Sequence, residues 1–408
     1  MKCGLLGRKL GHSYSPAIHG YLGDYSYSLF EKEPEELEEF LRNGDFTGIN
    51  VTIPYKKNVI PYLDELSPQA QKMGAVNTIV RRADGTLFGH NTDYFGFSSM
   101  LERSGVSVSG KKVLVLGSGG ASNTVVAVLR ESGAEVIVVS RTGENHYGNL
   151  ERHADAAMIV NTTPVGMYPD TGKTPVEIAS FGKLECVLDV IYNPARTQLL
   201  LDAEASGIPT GNGLWMLVAQ AKEAAEVFTQ NTIPDTEIQR IYSILSRQMQ
   251  NITLIGMPGS GKTTVGKLLA EKLGRKFMDA DVRLEEAAGR SIPEIFRQDG
   301  EAVFRRMETQ VLQELGKQSG LILATGGGCV TQECNYPLLH QNSIVIWLRR
   351  DLDSLPTEGR PLSQVNSLWD MYQTRKPMYE AFADHIVDNN GTPEETVREI
   401  LRKLEAAL

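Results

Sequence analysis

One segment beyond the middle of the chain has the residue types and spacing of a phosphate-binding loop. Gly256-Met257-Pro258-Gly259-Ser260-Gly261-Lys262-Thr263 matches the pattern G-x-x-x-x-G-K-[ST]. In such a loop the backbone amides surround phosphate oxygens, the lysine reaches the outer phosphates, and the threonine hydroxyl can bind Mg²⁺. The pattern predicts a nucleoside triphosphate site whose contacts are Gly259, Ser260, Gly261, Lys262, Thr263 and Thr264.

A second glycine-rich turn lies in the first half of the chain. Gly117-Ser118-Gly119-Gly120-Ala121-Ser122 follows a β-branched run and opens a helix-forming stretch. Backbone without side chains can approach a pyrophosphate at the start of a helix, so Gly117, Ser118, Gly119, Gly120 and Ala121 are candidate dinucleotide contacts. The motif alone is weak, and a tight turn that binds no ligand is the alternative.

The next predicted strand ends in Ser140-Arg141-Thr142. A site for NAD would usually place an acid there to bind the ribose 2′-hydroxyl group. An arginine with two hydroxyl side chains instead favours a 2′-phosphate, which predicts NADP(H). Glu135 stands too early in the strand to reach the ribose, and Arg141 as an ordinary surface cation is the alternative.

Polar clusters in the first 96 residues have residue types that solvated loops do not need. They are His12-Ser-Tyr-Ser-Pro16, Asn50-Val-Thr-Ile-Pro-Tyr-Lys56, Gly74-Ala-Val-Asn-Thr78 and Gly89-His-Asn-Thr-Asp-Tyr-Phe-Gly96. Three more follow in order: Asn161-Thr-Thr-Pro-Val-Gly-Met167, Asp189-Val-Ile-Tyr-Asn-Pro194 and Gly213-Leu-Trp-Met-Leu-Val-Ala-Gln-Ala221. Together these clusters resemble shikimate dehydrogenase over residues 1 to about 245.

The resemblance assigns roles to individual residues of this chain. It implies that Ser13 and Ser15 bind the substrate carboxylate, and that the ring hydroxyls are bound by Thr52, Asn77, Tyr192 and Gln220. It also implies cofactor contacts from Asn161 and Met216. For Met216 an ordinary core methionine is an equally good interpretation.

By the same resemblance Lys56 and Asp93 form the catalytic pair, and Asp93 also binds substrate. Hydride transfer to a ketone carbon leaves negative charge on oxygen, which a nearby ammonium group can stabilise and protonate. A carboxylate beside that ammonium group would orient it. Outside these motifs, a surface lysine and a helix-capping aspartate would be the simpler interpretations.

The C-terminal clusters resemble shikimate kinase over residues 251–408. They are Asp279-Ala-Asp281, Phe304-Arg-Arg-Met-Glu308, Gly326-Gly-Gly328, Gly359-Arg-Pro-Leu362 and Arg375-Lys-Pro-Met-Tyr379. The resemblance implies that Thr263 and, through water, Asp279 hold Mg²⁺. It also implies that Asp281 contacts the attacking hydroxyl group, and that substrate is bound by Arg305, Arg375 and the backbone of Gly327. Lys262, Asp281 and Arg360 are then the catalytic groups, with Arg360 reaching the transferred phosphoryl group from a lid.

Simpler interpretations of these residues stay open. Arg305 could pair with Glu308 at i+3 on a helix, and Asp281 could cap the helix that follows it. The lid departs from the family, because the stretch Leu-Asp-Ser-Leu-Pro-Thr-Glu-Gly between Asp351 and Arg360 is short and lacks the arginine that commonly lies against adenine. Nucleotide affinity and lid closure are therefore open questions.

The elements that would position these residues alternate between strands and helices. Both glycine-rich turns join a β-branched run to a helical stretch, which predicts an α/β fold. We expect a dehydrogenase at 1–247, with a substrate lobe at about 1–95 and 212–247 and a Rossmann-like doubly wound lobe at about 96–211. A P-loop domain with a parallel sheet is expected at 248–408. The polar residues Ser246 to Gln250 are the expected join.

Composition limits the possible partners. With 408 residues the chain predicts more than one domain, and its net charge of −9 gives no general attraction to nucleic acid or anionic membranes. Four scattered cysteines lack zinc-site spacing, and neither a leader sequence nor a long apolar run is apparent. We therefore expect a cytoplasmic protein with small-molecule substrates, no nucleic acid or membrane partner, and an oligomeric state that the sequence leaves open.

Joined, the two resemblances imply consecutive reactions: NADPH-dependent reduction of 3-dehydroshikimate, and ATP-dependent phosphorylation of shikimate. The expected cofactors are NADP(H), ATP and Mg²⁺. A regulatory protein that uses these folds to sense substrate is the rival from another class, but it predicts loss of Lys56, Asp93, Lys262 or Asp281, and all four are present. Use of quinate by the dehydrogenase part is a narrower alternative.

Overall fold

The computed structural model describes residues 1–11, 13–355 and 368–406 of the chain. These residues fold as two compact units. The first contains Met1–Val165, Pro175–Tyr192 and Asp202–Ile244, and the second contains Gly166–Thr174, Asn193–Leu201 and Leu245–Leu408. Within the second unit, Arg196 Nη2 donates to Ser343 O at 2.6 Å.

The N-terminal lobe of the first unit is built on a mixed sheet with the strand order β2-β1-β3-β5-β6-β4. Its strands are β1 (Lys2–Gly7), β2 (Ser26–Glu31), β3 (Gly48–Val51), β4 (Glu65–Leu66), β5 (Thr78–Arg81) and β6 (Leu87–His90). β1 and β3 are almost entirely buried. Short apolar runs buried on both faces form the centre of such a sheet, which places the ends of β1 and β3 next to the substrate motifs.

The second lobe of the first unit contains a fully parallel sheet with the order β11-β10-β9-β7-β8. Its strands are β7 (Lys112–Leu116), β8 (Glu135–Val139), β9 (Met158–Asn161), β10 (Cys186–Asp189) and β11 (Thr210–Gly211). The order of the strands switches between β7 and β9, because the chain runs from β7 to β8 on one side of β7 and then returns to β9 on the other side. Ligands of doubly wound sheets bind at this switch point, beyond the carboxyl ends of the strands.

The helices up to residue 249 alternate with these strands along the chain. They are α1 (Ser15–Leu22), α2 (Leu37–Asn43), α3 (Pro68–Met73), α4 (Asp93–Arg103), α5 (Gly120–Glu131), α6 (Gln198–Ala205), α7 (Leu214–Thr229) and α8 (Thr236–Met249). Short 3₁₀ turns lie at Pro34–Glu36, Ile60–Tyr62, Leu150–His153 and Ile178–Ser180. α4 and α7 approach closely at Gly96, where a Cβ atom would lie 2.8 Å from Met216 O. The contact brings the Asp93 and Gln220 helices together.

The second unit is built on a parallel sheet with the order β13-β14-β12-β15-β16. Its strands are β12 (Asn251–Ile255), β13 (Phe277–Asp279), β14 (Ile322–Ala324), β15 (Ser343–Arg349) and β16 (His385–Asp388). Its helices are α9 (Lys262–Leu273), α10 (Ala280–Ala288), α11 (Ile292–Asp299), α12 (Glu301–Gly316), α13 (Asn335–His340), α14 (Leu368–Phe382) and α15 (Pro393–Ala406), with 3₁₀ turns at Cys329–Thr331 and Leu352–Ser354. The predicted α/β class, with a Rossmann-like lobe and a P-loop domain, is confirmed.

The predicted join at Ser246 to Gln250 lies close to the boundary between the two compact units at Ile244 and Leu245, and most of it is helical. α8 continues to Met249, and β12 begins at Asn251. Ile241, Leu245 and Met249 recur at intervals of four residues and are all buried. This helical repeat outweighs the polarity of the residues between them, which occupy the exposed face of the helix.

None of the helices in the described ranges combines the length and the apolar character that a membrane crossing needs.

Candidate active sites

An ion pair lies between the loop after β3 and the start of α4 in the first unit. Lys56 Nζ donates to Asp93 Oδ2 at 2.6 Å, and the two side chains keep 30% and 15% of their surface exposed. Asp93 is the first residue of α4, where the helix dipole favours a negative charge. The pair places a proton-donating ammonium group, oriented by a carboxylate, within reach of a ligand.

Asn77 organises the residues around that pair. Its side chain is buried, and its Oδ1 accepts from Thr92 N at 2.7 Å, which fixes the residue before Asp93. Its Nδ2 donates to Thr92 Oγ1 at 3.1 Å and to Gln220 Oε1 at 3.4 Å. The structure thus brings Asn77, Gln220 and Asp93 together, although they come from three separate motifs.

Ser13, Ser15 and Thr52 lie on other elements of the N-terminal lobe, and Tyr192 follows β10 of the second lobe. Ser13 Oγ accepts from Ser15 N at 3.2 Å at the start of α1. The ring of Tyr14, between them, meets the ring of Tyr192 edge to face with centroids 6.0 Å apart. Burial raises the pKa of Tyr192, so its hydroxyl group stays protonated and can donate. Thr52 directly follows β3 and donates through its backbone N–H to Leu6 O at 2.9 Å.

Sequence reasoning gave no role to Tyr27 or Asn50, which support Asn77 from behind. Tyr27 OH donates to Asn50 Oδ1 at 2.8 Å, and Asn50 Nδ2 donates to Thr78 Oγ1 at 3.2 Å. Thr78 Oγ1 in turn donates to Asn77 Oδ1 at 3.1 Å. Asn50 is 5% exposed and lies on the central strand β3. A buried amide on a central strand is the signal that could have identified it.

The turn after β7 has the backbone that a dinucleotide needs. Gly117 has a φ of +104°, and a Cβ atom there would lie 2.9 Å from both Thr162 Oγ1 and Thr163 Cγ2. Residues 118–121 are exposed, and α5 begins among them at Gly120. Glycine is therefore required at Gly117, whereas Cβ atoms at Gly119 and Gly120 would have no other atom within 4 Å, so the start of α5 is open to a ligand.

Asn161 ends β9 on the opposite side of the switch point. It is fully buried, and its Nδ2 donates to Asp189 Oδ1 at 3.1 Å while its Oδ1 accepts from Thr163 Oγ1 at 2.7 Å. These bonds fix the turn that faces Gly117. Asn161 therefore supports the candidate cofactor crevice, and a direct contact with the cofactor stays a prediction.

The residues predicted to select the cofactor follow β8. Ser140 Oγ donates to the backbone carbonyl of Thr142, while Arg141 and Thr142 are exposed. Burial raises the pKa of Tyr147, and the positive charge of Arg141 opposes that shift. Arg141 thus lies near Tyr147 with its cation available. The glycine turn and this cation fit NADP(H).

Met216 lies inside the hydrophobic core of the second lobe. It is 8% exposed and packs in a cluster with Phe97, Val160 and Leu188. Met216 therefore packs as an ordinary core methionine does. Its contact with a nicotinamide ring stays a prediction.

A cleft of about 960 Å³ in the second unit gathers most of the residues predicted for phosphoryl transfer. Its lining includes Gly259, Gly261, Lys262, Thr263, Thr264, Asp279, Asp281, Arg305, Gly327 and Arg375. Ser260, in the same loop, is buried and is not part of this lining. Arg360 and the whole Gly359–Leu362 motif lie outside the described residues, as does His12 in the first unit.

The phosphate-binding loop joins β12 to α9 through glycines with positive φ. Gly256, Gly259 and Gly261 have φ of +147°, +81° and +92°. Lys262 Nζ donates to Gly256 O at 2.9 Å and to Met257 O at 3.0 Å, and its side chain is buried. The loop's own carbonyl groups thus hold the ammonium group in place.

Oxygen ligands suited to Mg²⁺ stand beside the loop. Thr263 Oγ1 donates to Asp279 Oδ2 at 2.8 Å. Mg²⁺ is usually held by one or two such oxygens, with water and substrate phosphates completing its coordination. No cluster of three or more His, Cys, Asp or Glu side chains is found in the part of the chain that the structure describes. Thr263 and Asp279 fit the ion.

The residue that caps α10 is Asp279, so capping by Asp281 is wrong. Asp279 Oδ1 accepts from Asp281 N at 3.0 Å and from Val282 N at 3.4 Å. The Asp281 carboxylate is left for the cleft, where burial raises its pKa and Lys262 opposes the shift. A carboxylate that is poorly solvated accepts a proton more readily, as contact with a reacting hydroxyl group requires.

Arg305 and Glu308 do pair on α12, inside the cleft wall. Arg305 Nη1 donates to Glu308 Oε2 at 2.7 Å, with both side chains buried. A Cβ atom at Gly326 would lie 2.6 Å from Glu308 Oε1 and 2.7 Å from Asp281 Oδ1. The glycine run after β14 therefore makes room for this charged layer.

Arg375 on α14 approaches the same glycine run. Its Nη1 donates to Gly327 O at 3.2 Å, and Tyr379 OH donates to the same carbonyl group. Arg375 and Arg305 both line the cleft and are each 7% exposed. Buried guanidinium groups that share one cleft can bind a carboxylate in a planar, bidentate manner.

Sequence reasoning missed Asn389, which fixes the phosphate-binding loop. Its Nδ2 donates to Ser260 O at 2.6 Å, and its Oδ1 accepts from Thr396 Oγ1 at 2.6 Å. Asn389 follows β16 and is buried. Asn389 is 129 residues away from Ser260 in the sequence, so no local sequence pattern predicts this contact.

Known proteins match both parts of the chain. Residues 5–79 match the family described as shikimate dehydrogenase substrate binding domain, and residues 258–405 match shikimate kinase. Shikimate dehydrogenase (NADP(+)) of Clostridium perfringens strain SM101 is 38% identical over 264 residues, which are 59% of this chain and 97% of that protein.

Solved structures resemble the same N-terminal part. A chorismate mutase/shikimate 5-dehydrogenase fusion protein from Clostridium acetobutylicum is 37% identical with a TM-score of 0.57, covering 60% of this chain and 96% of that one. Shikimate 5-dehydrogenase from Thermus thermophilus, solved with NADP(H) and shikimate, is 32% identical with a TM-score of 0.54, covering 60% of this chain and 99% of that one.

Proposed function

Because the chain belongs to the shikimate dehydrogenase family and carries a shikimate kinase domain in its C-terminal part, we propose that it is a bifunctional enzyme of the shikimate pathway. One activity reduces 3-dehydroshikimate to shikimate with NADPH. The other transfers the γ-phosphoryl group of ATP to the 3-hydroxyl group of shikimate. The product of the first reaction is the substrate of the second.

In the dehydrogenase, Lys56 is the proton donor. Bound NADPH would supply the hydride that adds to the ketone carbon. As the C=O π electrons move to oxygen, the Lys56 ammonium group stabilises the growing negative charge and donates its proton, which yields the alcohol and a neutral amine. Asp93, 2.6 Å from Lys56 Nζ, orients the ammonium group beforehand.

The residues around this pair hold the substrate in one orientation. Asn77 and Gln220, which are hydrogen-bonded to each other, would bind ring hydroxyl groups. Ser13 and Ser15 would bind the carboxylate, and Thr52 and Tyr192 the remaining hydroxyl groups. The residues from Gly117 to Ala121, with Ser140, Arg141 and Thr142, would hold NADPH. Such fixed contacts convert a bimolecular step into an intramolecular one.

In the kinase, positioning and positive charge carry most of the catalysis. Lys262 lies close to the phosphates that its loop would bind, and Arg305 and Arg375 would fix the shikimate carboxylate. Asp281 would accept the proton of the attacking hydroxyl group. Arg360 would add charge from the lid. Mg²⁺, held through Thr263 and Asp279, would neutralise part of the phosphate charge.

The observation that carries the proposal is that one chain contains a candidate site in each unit, with Lys56 and Asp93 in one and Lys262 and Asp281 in the other. The direct test incubates the purified chain with 3-dehydroshikimate, NADPH and ATP. Loss of NADPH and appearance of shikimate 3-phosphate are then followed together. Consumption of NADPH without any shikimate 3-phosphate would exclude the second activity.

We also infer a reducing compartment such as the cytoplasm. Cys3, Cys186, Cys329 and Cys334 are all free thiols, and the first three are buried. Burial raises the pKa of Cys186 to about 11, so its thiol stays protonated and unreactive.

A further inference from the structure

A cation beside the phosphate-binding loop has no role in the sites described above. Arg350 follows the last residue of β15 and lines the same cleft as Gly259, Gly261 and Lys262. Its Nη1 lies 3.8 Å from the position that a Cβ atom of Gly261 would take. The guanidinium group therefore lies within a few ångströms of the loop that binds phosphates.

The backbone on both sides of Arg350 is fixed. Arg349 O accepts from Asn389 N at 2.7 Å, and Asp351 N donates to Asn390 Oδ1 at 2.9 Å. Asn389 also bonds the phosphate-binding loop. The same segment after β16 thus sets the position of Arg350 and of the loop relative to each other.

The guanidinium group of Arg350 is available for a ligand. Its Nε is buried without a hydrogen-bond partner, and no carboxylate among the described residues forms an ion pair with it. Asp353 lines the same cleft, but no ion pair between the two is found in the part of the chain that the structure describes. A buried donor without a partner is unfavourable, and a charged one more so. Anionic ligand oxygens would relieve this cost.

We propose that Arg350 binds the polyphosphate chain of ATP, an inference that rests on the proposed kinase function of the second unit. A guanidinium group presents its donors as a planar fork that fits phosphate oxygens. Among the described residues, the other arginines that line the cleft are Arg305 and Arg375, which approach the glycine run after β14 rather than the phosphate-binding loop. The short stretch between Asp351 and Arg360 contains no other arginine or lysine, so Arg350 adds a cation that this stretch lacks.

The test measures ligand binding to the full-length chain carrying Arg350→Gln, Arg350→Lys or Arg402→Gln. Arg402 is an exposed residue of α15 paired with Glu399, and its substitution makes the same charge change away from the cleft. ADP with Mg²⁺ and shikimate are titrated calorimetrically, and adenosine is followed by ligand-observed NMR. Loss of one charge-assisted contact predicts ADP binding weaker by about tenfold to a hundredfold in Arg350→Gln.

Affinities for adenosine and shikimate should stay at wild-type values, and Arg350→Lys should fall between Arg350→Gln and wild type. Unchanged ADP affinity in Arg350→Gln would overturn the proposal. If Arg350→Gln weakens adenosine binding as much as ADP binding, the contact is with the nucleoside. If it weakens shikimate binding as much as ADP binding, the role of Arg350 is structural. Either result contradicts phosphate binding. A wild-type chain that binds ADP but forms no shikimate 3-phosphate would defeat the kinase function and leave the Arg350 result standing.

Discussion

Two lysines, one half-buried in the first unit and one buried in the second, donate hydrogen bonds to different kinds of group. Lys56 is paired with the carboxylate of Asp93. Lys262 donates to the neutral carbonyl groups of Gly256 and Met257. A carboxylate compensates an ammonium charge, whereas carbonyl dipoles only orient it.

The difference follows the chemistry that each unit performs. A proton donor has to give up its charge during the reaction, and a neighbouring carboxylate helps to position it before and after that step. A phosphate-binding lysine has to keep its full charge for the ligand. Arg350, Arg305 and Arg375 add further cations to the second cleft, so we expect the kinase to depend more on charge and the dehydrogenase more on one proton donor.

The largest effect is expected from Lys56→Ala. Loss of both the proton donor and its charge should lower kcat for reduction of 3-dehydroshikimate by about 10² to 10⁴ with a smaller change in KM. Steady-state kinetics with NADPH provide the measurement. Lys57→Ala is the matched control, because Lys57 is the exposed neighbour. If Lys56→Ala keeps a near-normal kcat, Lys56 is not the proton donor, and the contrast between Lys56 and Lys262 is contradicted.

Asp281→Asn should lower kcat of the kinase by about 10²-fold, because the amide cannot accept the proton of the attacking hydroxyl group. The same substitution should stabilise the second unit at higher pH. Burial raises the pKa of Asp281, so ionisation opposes folding, and the wild type loses stability relative to the variant as pH rises through that raised pKa.

Calorimetric Tm values from below the unfolded aspartate pKa of about 4 up to pH 8 test this sign, using the transition that ADP and shikimate shift. Glu399→Gln is the control with opposite sign, since the hydrogen bond from Arg402 lowers the pKa of Glu399. Glu399 contributes stability above its unfolded pKa, so its variant should lose a little rather than gain. If the stability difference between Asp281→Asn and wild type does not change with pH, folding does not raise the pKa of Asp281.

A smaller effect is expected from Arg141→Ala on the choice of cofactor. The ratio of kcat/KM for NADPH over NADH should fall by about tenfold, because one charge-assisted hydrogen bond to the 2′-phosphate is lost. Arg152→Ala removes another exposed cation of the same lobe and should leave the ratio unchanged. If Arg141→Ala also leaves it unchanged, Arg141 is only a surface cation.

The smallest effect is expected from Tyr27→Phe, which removes the hydrogen bond to Asn50. A neutral hydrogen bond contributes about 1 kcal/mol, so KM for 3-dehydroshikimate should rise by roughly fivefold as Asn77 loses support. Tyr25→Phe is the control, because Tyr25 OH bonds His19 Nδ1 at 2.7 Å instead. Equal KM values in the two variants would remove Tyr27 from the substrate site.

Local spacing was enough to predict part of the architecture. The phosphate-binding loop and the Gly117 turn are contiguous in sequence, so both were located together with their flanking strand and helix. The helical form of Ser246 to Met249 was not predicted, because polarity was given more weight than the four-residue repeat that ends in Met249.

Long-range pairs could not be predicted from spacing. Lys56 and Asp93 are 37 residues apart, and only the family resemblance predicted that they meet. Asn389 and Arg350 reach the phosphate-binding loop because β15 and β16 end beside it, which depends on the order of the strands in the sheet. No pattern near either residue signals that position. The packing of Met216 in the core likewise depended on the tertiary fold.

The central claim is that each unit performs its own reaction. Both activities should therefore be measured in the full-length Lys56→Ala and Lys262→Ala chains, with shikimate supplied directly for the kinase assay and circular dichroism to confirm folding. We predict that Lys262→Ala abolishes shikimate 3-phosphate formation and leaves NADPH oxidation near its normal rate, and that Lys56→Ala has the reverse effect. If either substitution silences both reactions in a folded chain, the account of two separate active sites is contradicted.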